Sequence, residues 1–127
     1  MGKAESAVES QVVLLRRAWE FVERARARIR IVEVYVVGSR ARGDYTDVSD
    51  IDLVIISDDV RGMNQLERRL LLKDFIEPRV EFFIYTSEEW YGETTAWIRQ
   101  MRREAVRLID LMRDYGVSRS NDFALII

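Results

Sequence analysis

Two short apolar runs, 31–37 and 51–57, bracket a polar stretch of Gly, Ser, Arg, Asp and Thr, and this arrangement constrains the chain more than any other feature. The β-branched and aromatic residues of these runs suit buried strands. The first run ends on Gly38-Ser39-Arg40-Ala41-Arg42-Gly43, and the second opens on Ser49-Asp50-Ile51-Asp52-Leu53. A glycine directly after a strand lets the backbone turn tightly and lets a ligand approach closely. Ser39 adds a hydroxyl and an N–H that can bind phosphate oxygens. Arg40 or Arg42 can neutralise a polyphosphate, with the bidentate geometry arginine offers. Asp50 and Asp52 lie two apart on a strand, so their side chains point the same way. Carboxylates this close repel each other unless a cation sits between them. In this order the two features describe a site for a metal–nucleotide complex. Taken singly, each has a plainer reading: a turn with a solvated arginine pair, and a polar strand entrance with Asp50 as a turn cap. The Gly-Lys-Ser/Thr ending of a P-loop is absent.

Composition narrows the chemistry. The 127 residues contain no cysteine and no histidine. That excludes disulfides, thiol nucleophiles, Cys/His zinc sites and every Ser-His-Asp or Cys-His mechanism. Catalysis must then use carboxylates, Lys/Arg, hydroxyls or a metal on oxygen ligands, which favour Mg²⁺, Mn²⁺ or Ca²⁺. The net charge of −2 argues against direct nucleic-acid binding. No apolar run approaches the ~20 residues of a membrane helix, and residues 1–6 carry no signal-peptide apolar region. The expectation is a cytoplasmic protein with no membrane contact.

The periodicities predict one small α/β (α+β) domain over 1–116, with a short mixed sheet of three or more strands flanked by helices, and a tail over 117–127. A first helix is expected over 5–29, its stripe formed by Val8, Val12, Leu15, Trp19 and Val22. Val13, Leu14 and Phe21 fall off that stripe and suit self-association or a partner surface. A helix over 63–76 would place Met63, Leu66, Leu70 and Ile76 inward. Pro78 separates it from a third strand over 79–85. Thr86 or Ser87 can cap the next helix, with Glu88 and Glu89 in its first turn. A long helix would follow, with Trp97, Met101, Ala105, Leu108 and Met112 on one stripe and Gly116 closing it.

Glu81 stands in the middle of the third expected strand, where a charge is costly without a partner. If that strand lies beside 51–57, Glu81 can face Asp50 and Asp52. Three converging carboxylates can hold two Mg²⁺ ions about 3.5–4 Å apart, as phosphoryl-transfer sites do. Otherwise Glu81 faces water from an edge strand, or pairs with Arg79 or Arg99. Trp90, Tyr91 and Trp97 could stack on a base, but helical spacing favours core positions. Trp97 fits the core stripe, whereas Trp90 and Tyr91, beside Gly92, could flank the site or a partner. Phe123–Ile127 form an apolar end that would dock on the domain or on a partner.

The span Gly38-Ser39-Arg40-Ala41-Arg42-Gly43 through Ser49-Asp50-Ile51-Asp52-Leu53 resembles the signature of the minimal nucleotidyltransferases, small members of the DNA polymerase β-like superfamily. The element order from residue 5 to about 112 agrees with it. The resemblance implies that Asp50 and Asp52 ligate Mg²⁺, with Mn²⁺ as a substitute. It implies that Gly38 and Ser39 bind the triphosphate of ATP or another NTP. Glu81 stands where the family has a third aspartate, which acts as metal ligand and base. Glutamate keeps the charge on a side chain one methylene longer. The best-studied relatives are antitoxins that transfer AMP to a tyrosine of a HEPN-domain toxin. Two other readings stay open. One is a binding module that neutralises its partner by contact alone. The other is transfer to a small molecule such as an aminoglycoside, for which the extra substrate-holding domain of larger relatives is not evident.

Overall fold

The computed structural model describes residues 4–119. Helix α1 (Glu5–Ala25) leads into β1 (Glu33–Val37), the one-turn helix α2 (Ser39–Arg42) and β2 (Ile51–Ile56). After a 3-10 turn come α3 (Gln65–Leu71), β3 (Val80–Tyr85), α4 (Ser87–Tyr91), α5 (Ala96–Glu104), β4 (Val106–Arg107) and α6 (Leu108–Asp114). The strands form one mixed sheet in the order β3-β2-β1-β4. β1 runs antiparallel to β2 and β4, and β2 runs parallel to β3. The expected fold class is therefore the observed one. Among the described residues no helix is long and apolar enough to cross a membrane.

The two-residue alternation of the strands sorts the core into two layers. Val34, Val36, Ile51, Leu53, Ile55, Phe82 and Ile84 pack with α1 and α6. Val37, Val54, Ile56, Tyr85, Trp90, Ile98 and Met101 pack on the opposite face, which α4 and α5 cover. Asp52 shares a face with Val54 and Ile56. It is paired in register with Val37 on one side and Glu81 on the other. One row of the sheet thus reads Val37–Asp52–Glu81. The next reads Tyr35–Val54–Phe83.

Three expectations are corrected. The buried face of α1 is Ala7, Gln11, Leu14, Leu15, Ala18, Phe21, Val22 and Ala25. Leu14 and Phe21 are core residues, with the Phe21 ring tilted against that of Phe82 at 5.0 Å between centres, whereas Val8 and Val13 are exposed. Small alanines let the helix approach the sheet closely, so the true seam is marked partly by residues that a search for large apolar side chains passes over.

The 63–76 helix is shorter, starting at the Asn64–Glu67 capping box and ending in a 3-10 turn, Lys73–Phe75. Leu66, Leu70 and Ile76 are exposed. The inward position is taken by Arg68, whose guanidinium donates to the carbonyls of Met63 and Ile84 and pairs with Glu89 at 2.7 Å.

The helix capped by Thr86 is α4, and the long helix expected after it is two, α5 and α6, with β4 between them. The Thr86–Glu89 capping box opens α4, the Thr95 hydroxyl accepts from Ile98 N–H at the start of α5, and Ala105 turns extended so that Val106 and Arg107 pair with β1. Ile98 then takes the inward place, and Trp97 is left 53% exposed. Trp90 is core, packed on Tyr35 and Tyr85. Gly116, at φ 69°, closes α6 as expected: its N–H reaches Arg113 O and that of Val117 reaches Met112 O. Phe123–Ile127 lie outside the described residues.

Replacing Phe21 by Ala should cost about 3–5 kcal/mol of stability, whereas Val13→Ala should stay within about 0.5 kcal/mol. Chemical denaturation of the two variants measures both, and equal small effects would contradict the packing of α1 described here.

Candidate functional site

Gly38 ends β1 with φ 75° and ψ −159°, a conformation that excludes a side chain. A Cβ there would also lie 2.7 Å from the Asp52 carboxylate oxygen Oδ2. The main chain and the carboxylate therefore meet across the β1–β2 pair, and only glycine permits it. Next comes α2, with the N–H groups of Ala41 and Arg42 donating to Gly38 O. On a single helical turn Arg40 and Arg42 point to different sides.

Arg40, expected on phosphate, is 1% exposed and is not among the residues that line the cleft. Its guanidinium donates to Ser49 O at 2.7 Å, Thr46 O, Ser10 Oγ and Gln11 Oε1, and lies 4.6 Å from the Tyr45 ring centre. Gln11 returns a hydrogen bond to Arg40 O. Burial pulls the Arg40 pKa below the ordinary arginine value, and the nearby Arg79 adds to this. Arg79 itself donates to Asp47 O and Ser49 O. Two arginines thus pin loop 43–50 to α1 and to the start of β3, and so fix where Asp50 enters β2. The glycine-rich motif gives no sign that its first arginine turns inward.

Of the other expected residues, all but Asp50 line one cleft. A cleft of about 470 Å³ has Gly38, Ser39, Arg42, Asp52 and Glu81 at its polar end. Phe83, Trp97 and Met101 form its apolar end, with Gln100 beside them. Trp97 meets Phe83 edge-on, 6.3 Å between ring centres. Its place at the cleft follows from the break between α4 and α5.

Asp52 is half-buried, and among the described residues no hydrogen bond or ion pair neutralises it. Burial raises its pKa first, and the charges of Asp50, Glu81 and Glu104 raise it further; Arg42 opposes them. Asp50 and Glu81 lie beside it but lean toward Arg79 (3.8 Å) and Arg69 (3.5 Å). Among the described residues, no three acidic side chains are gathered as a metal-holding group. The strand register sets Asp52 beside Glu81, while the Asp50 and Glu81 side chains are held aside by arginines. Glu104, at the end of α5, was not legible in the sequence. Its carboxylate accepts from Gly38 N–H at 2.8 Å and from Arg42 Nη1 at 2.7 Å.

The description "nucleotidyltransferase domain" matches residues 15–107, more than half of the chain. The chain belongs to this nucleotidyltransferase family. It is 40% identical to a Methanocaldococcus jannaschii protein, provisionally named a protein adenylyltransferase, over 81 residues that make up 61% of this chain and 78% of that protein. A crystal structure from Sulfolobus solfataricus, provisionally described as a nucleotidyltransferase, superposes with a TM-score of 0.70 at 34% identity, covering 84% of this chain and 89% of that one.

Two expectations follow for the site. Arg40→Ala should cost about 3–5 kcal/mol by stranding buried acceptors, while Arg42→Ala, on an exposed side chain, should leave the denaturation midpoint nearly unchanged.

A carboxylate whose folded pKa lies above its unfolded value binds its proton more tightly in the native state. Stability therefore falls as pH rises from the ordinary aspartate value through the raised one, and the full penalty is present at neutral pH. Asp52→Asn should accordingly raise the melting temperature at pH 7, and the gain should vanish in acid; a loss of stability at pH 7 would contradict the unneutralised charge.

Proposed function

We propose that this chain transfers AMP from ATP, in the presence of Mg²⁺, to a hydroxyl of a protein acceptor. The observation that carries the reading is a two-ended cleft. An unneutralised Asp52 meets Gly38, Arg42 and Glu81 at the polar end, and Trp97 and Phe83 stand at the aromatic end. A nucleotide has the same two-ended chemistry. The name of the Methanocaldococcus jannaschii relative supports an adenylyl group and a protein acceptor.

The donor set fits a hard divalent ion: it is all carboxylate oxygen, and Asp52 lacks a compensating charge. Asp50, Asp52 and Glu81 would hold it once Asp50 and Glu81 leave their arginines. When bound, Mg²⁺ would offset the charge that builds on the phosphate oxygens. Gly38 N–H, Ser39 and Arg42 would orient the polyphosphate, and Trp97 would support the base. The acceptor oxygen attacks the α-phosphorus as the bond to the bridging oxygen of the β-phosphate breaks. Pyrophosphate leaves, and the acceptor proton passes to the Glu81 carboxylate. The family resemblance implies a tyrosine of a HEPN-domain partner as acceptor, with an antitoxin role.

A second reading has its own observation. Arg79 and Arg69 engage Asp50 and Glu81, which suits a module that acts by contact alone. Incubation with labelled ATP, Mg²⁺ and the partner separates the two. Transfer should add the mass of an AMP group to the partner. Asp52→Asn should slow the reaction at least about a hundredfold, Glu81→Gln should slow it strongly, and Glu81→Asp should retain it. An unmodified partner that Asp52→Asn neutralises as well as the parent does would establish the contact module instead.

A further inference from the structure

The reaction outlined above leaves Glu104 without a task, although it holds two groups that the reaction needs. One carboxylate oxygen accepts from Gly38 N–H at 2.8 Å, and the other accepts from Arg42 Nη1 at 2.7 Å. A carboxylate that spans an N–H and a guanidinium offers the same pair of acceptors as two phosphate oxygens. The contact brings a further negative charge toward Asp52, which already faces the charges of Asp50 and Glu81. Glu104 is also the last residue of α5, where a carboxylate faces the negative end of the helix dipole. Neither feature favours a carboxylate at this place; Gly38 and Arg42 hold it there.

We infer that Glu104 is an internal competitor for the phosphate groups of the nucleotide, and that a nucleotide seats its phosphate on Gly38 and Arg42 only by displacing it. The inference rests on the nucleotide reading of the cleft and makes Glu104 a specificity-determining residue of that site. Every ligand whose phosphate must reach these donors is weakened by the same factor. A nucleoside without phosphate is not weakened, because Phe83, Trp97 and Gln100 lie at the other end.

Calorimetric titration of the full chain with ATP plus Mg²⁺, inorganic tripolyphosphate plus Mg²⁺, and adenosine tests this. Glu104→Ala should bind both phosphate ligands about tenfold tighter, equivalent to about 1.4 kcal/mol, and adenosine as the parent does. Glu104→Asp keeps the charge but is one methylene too short to span both donors, so it should follow Glu104→Ala. A gain in Glu104→Ala alone would make the effect one of background charge and overturn the inference. A loss of phosphate affinity would overturn it too, by making Glu104 a support for Arg42. An equal gain for adenosine would do the same. Parent binding with no gain in the variants sinks this inference alone, whereas no phosphate binding by any form sinks the nucleotide reading with it.

Discussion

Arg40 carries a positive charge into a space that water does not reach, and surrounds it with oxygen acceptors. That one side chain ties α2 to α1 through Ser10 and Gln11 and to the loop through Thr46 and Ser49, and the Gln11 amide donates back to Arg40 O. A buried guanidinium persists only when its donors are met, so the loop has little freedom in how it approaches β2. Arg79 reinforces the hold from the other side by sharing the Ser49 carbonyl. The position of Asp50, the start of β2 and the line of Asp52 with Glu81 all follow from where that loop is held.

On this frame the sheet sorts chemistry from packing. Alternation sends Ile51, Leu53 and Ile55 toward α1 and α6, and sends Asp52, Val54 and Ile56 toward α4 and α5. The Val37–Asp52–Glu81 row opens on a cleft that Trp97, Gln100, Met101 and Glu104 of α5 also line, instead of closing in a core. The charge on Asp52 is thus kept near others of its sign, at a cost to the fold. Such a penalty is characteristic of sites that need a charge for their chemistry.

Much of this was legible in the chain. The strands announced themselves by β-branched runs, and the Gly38 turn and the Asp50–Asp52 pair by residues whose geometry is set within a few positions. The cap at Thr86 and the closing turn at Gly116 are local too. What escaped were choices between near-equal local options. Leu14 and Phe21 against Val8 and Val13 depended on how closely alanines let α1 approach the sheet. Trp97 against Ile98 depended on where α5 begins, which the break after α4 and the Thr95 cap set. Arg68 took a place that hydrophobicity assigned to leucine because Glu89 and two carbonyls were there to receive it.

The sequence by itself determined that a glycine turn and two carboxylates would share the ends of adjacent strands, and that any catalysis would rest on oxygen ligands. It did so because strand alternation, glycine's freedom at positive φ and the absence of Cys and His are properties of residues and their immediate neighbours. Only the tertiary structure decided that Arg40 belongs to the fold while Arg42 faces the cleft. It alone aligned Glu81 with Asp52, and brought Glu104 from the end of a distant helix onto Gly38 and Arg42. These are long-range pairings, settled by packing, and no local spacing encodes which partner a charged side chain will meet.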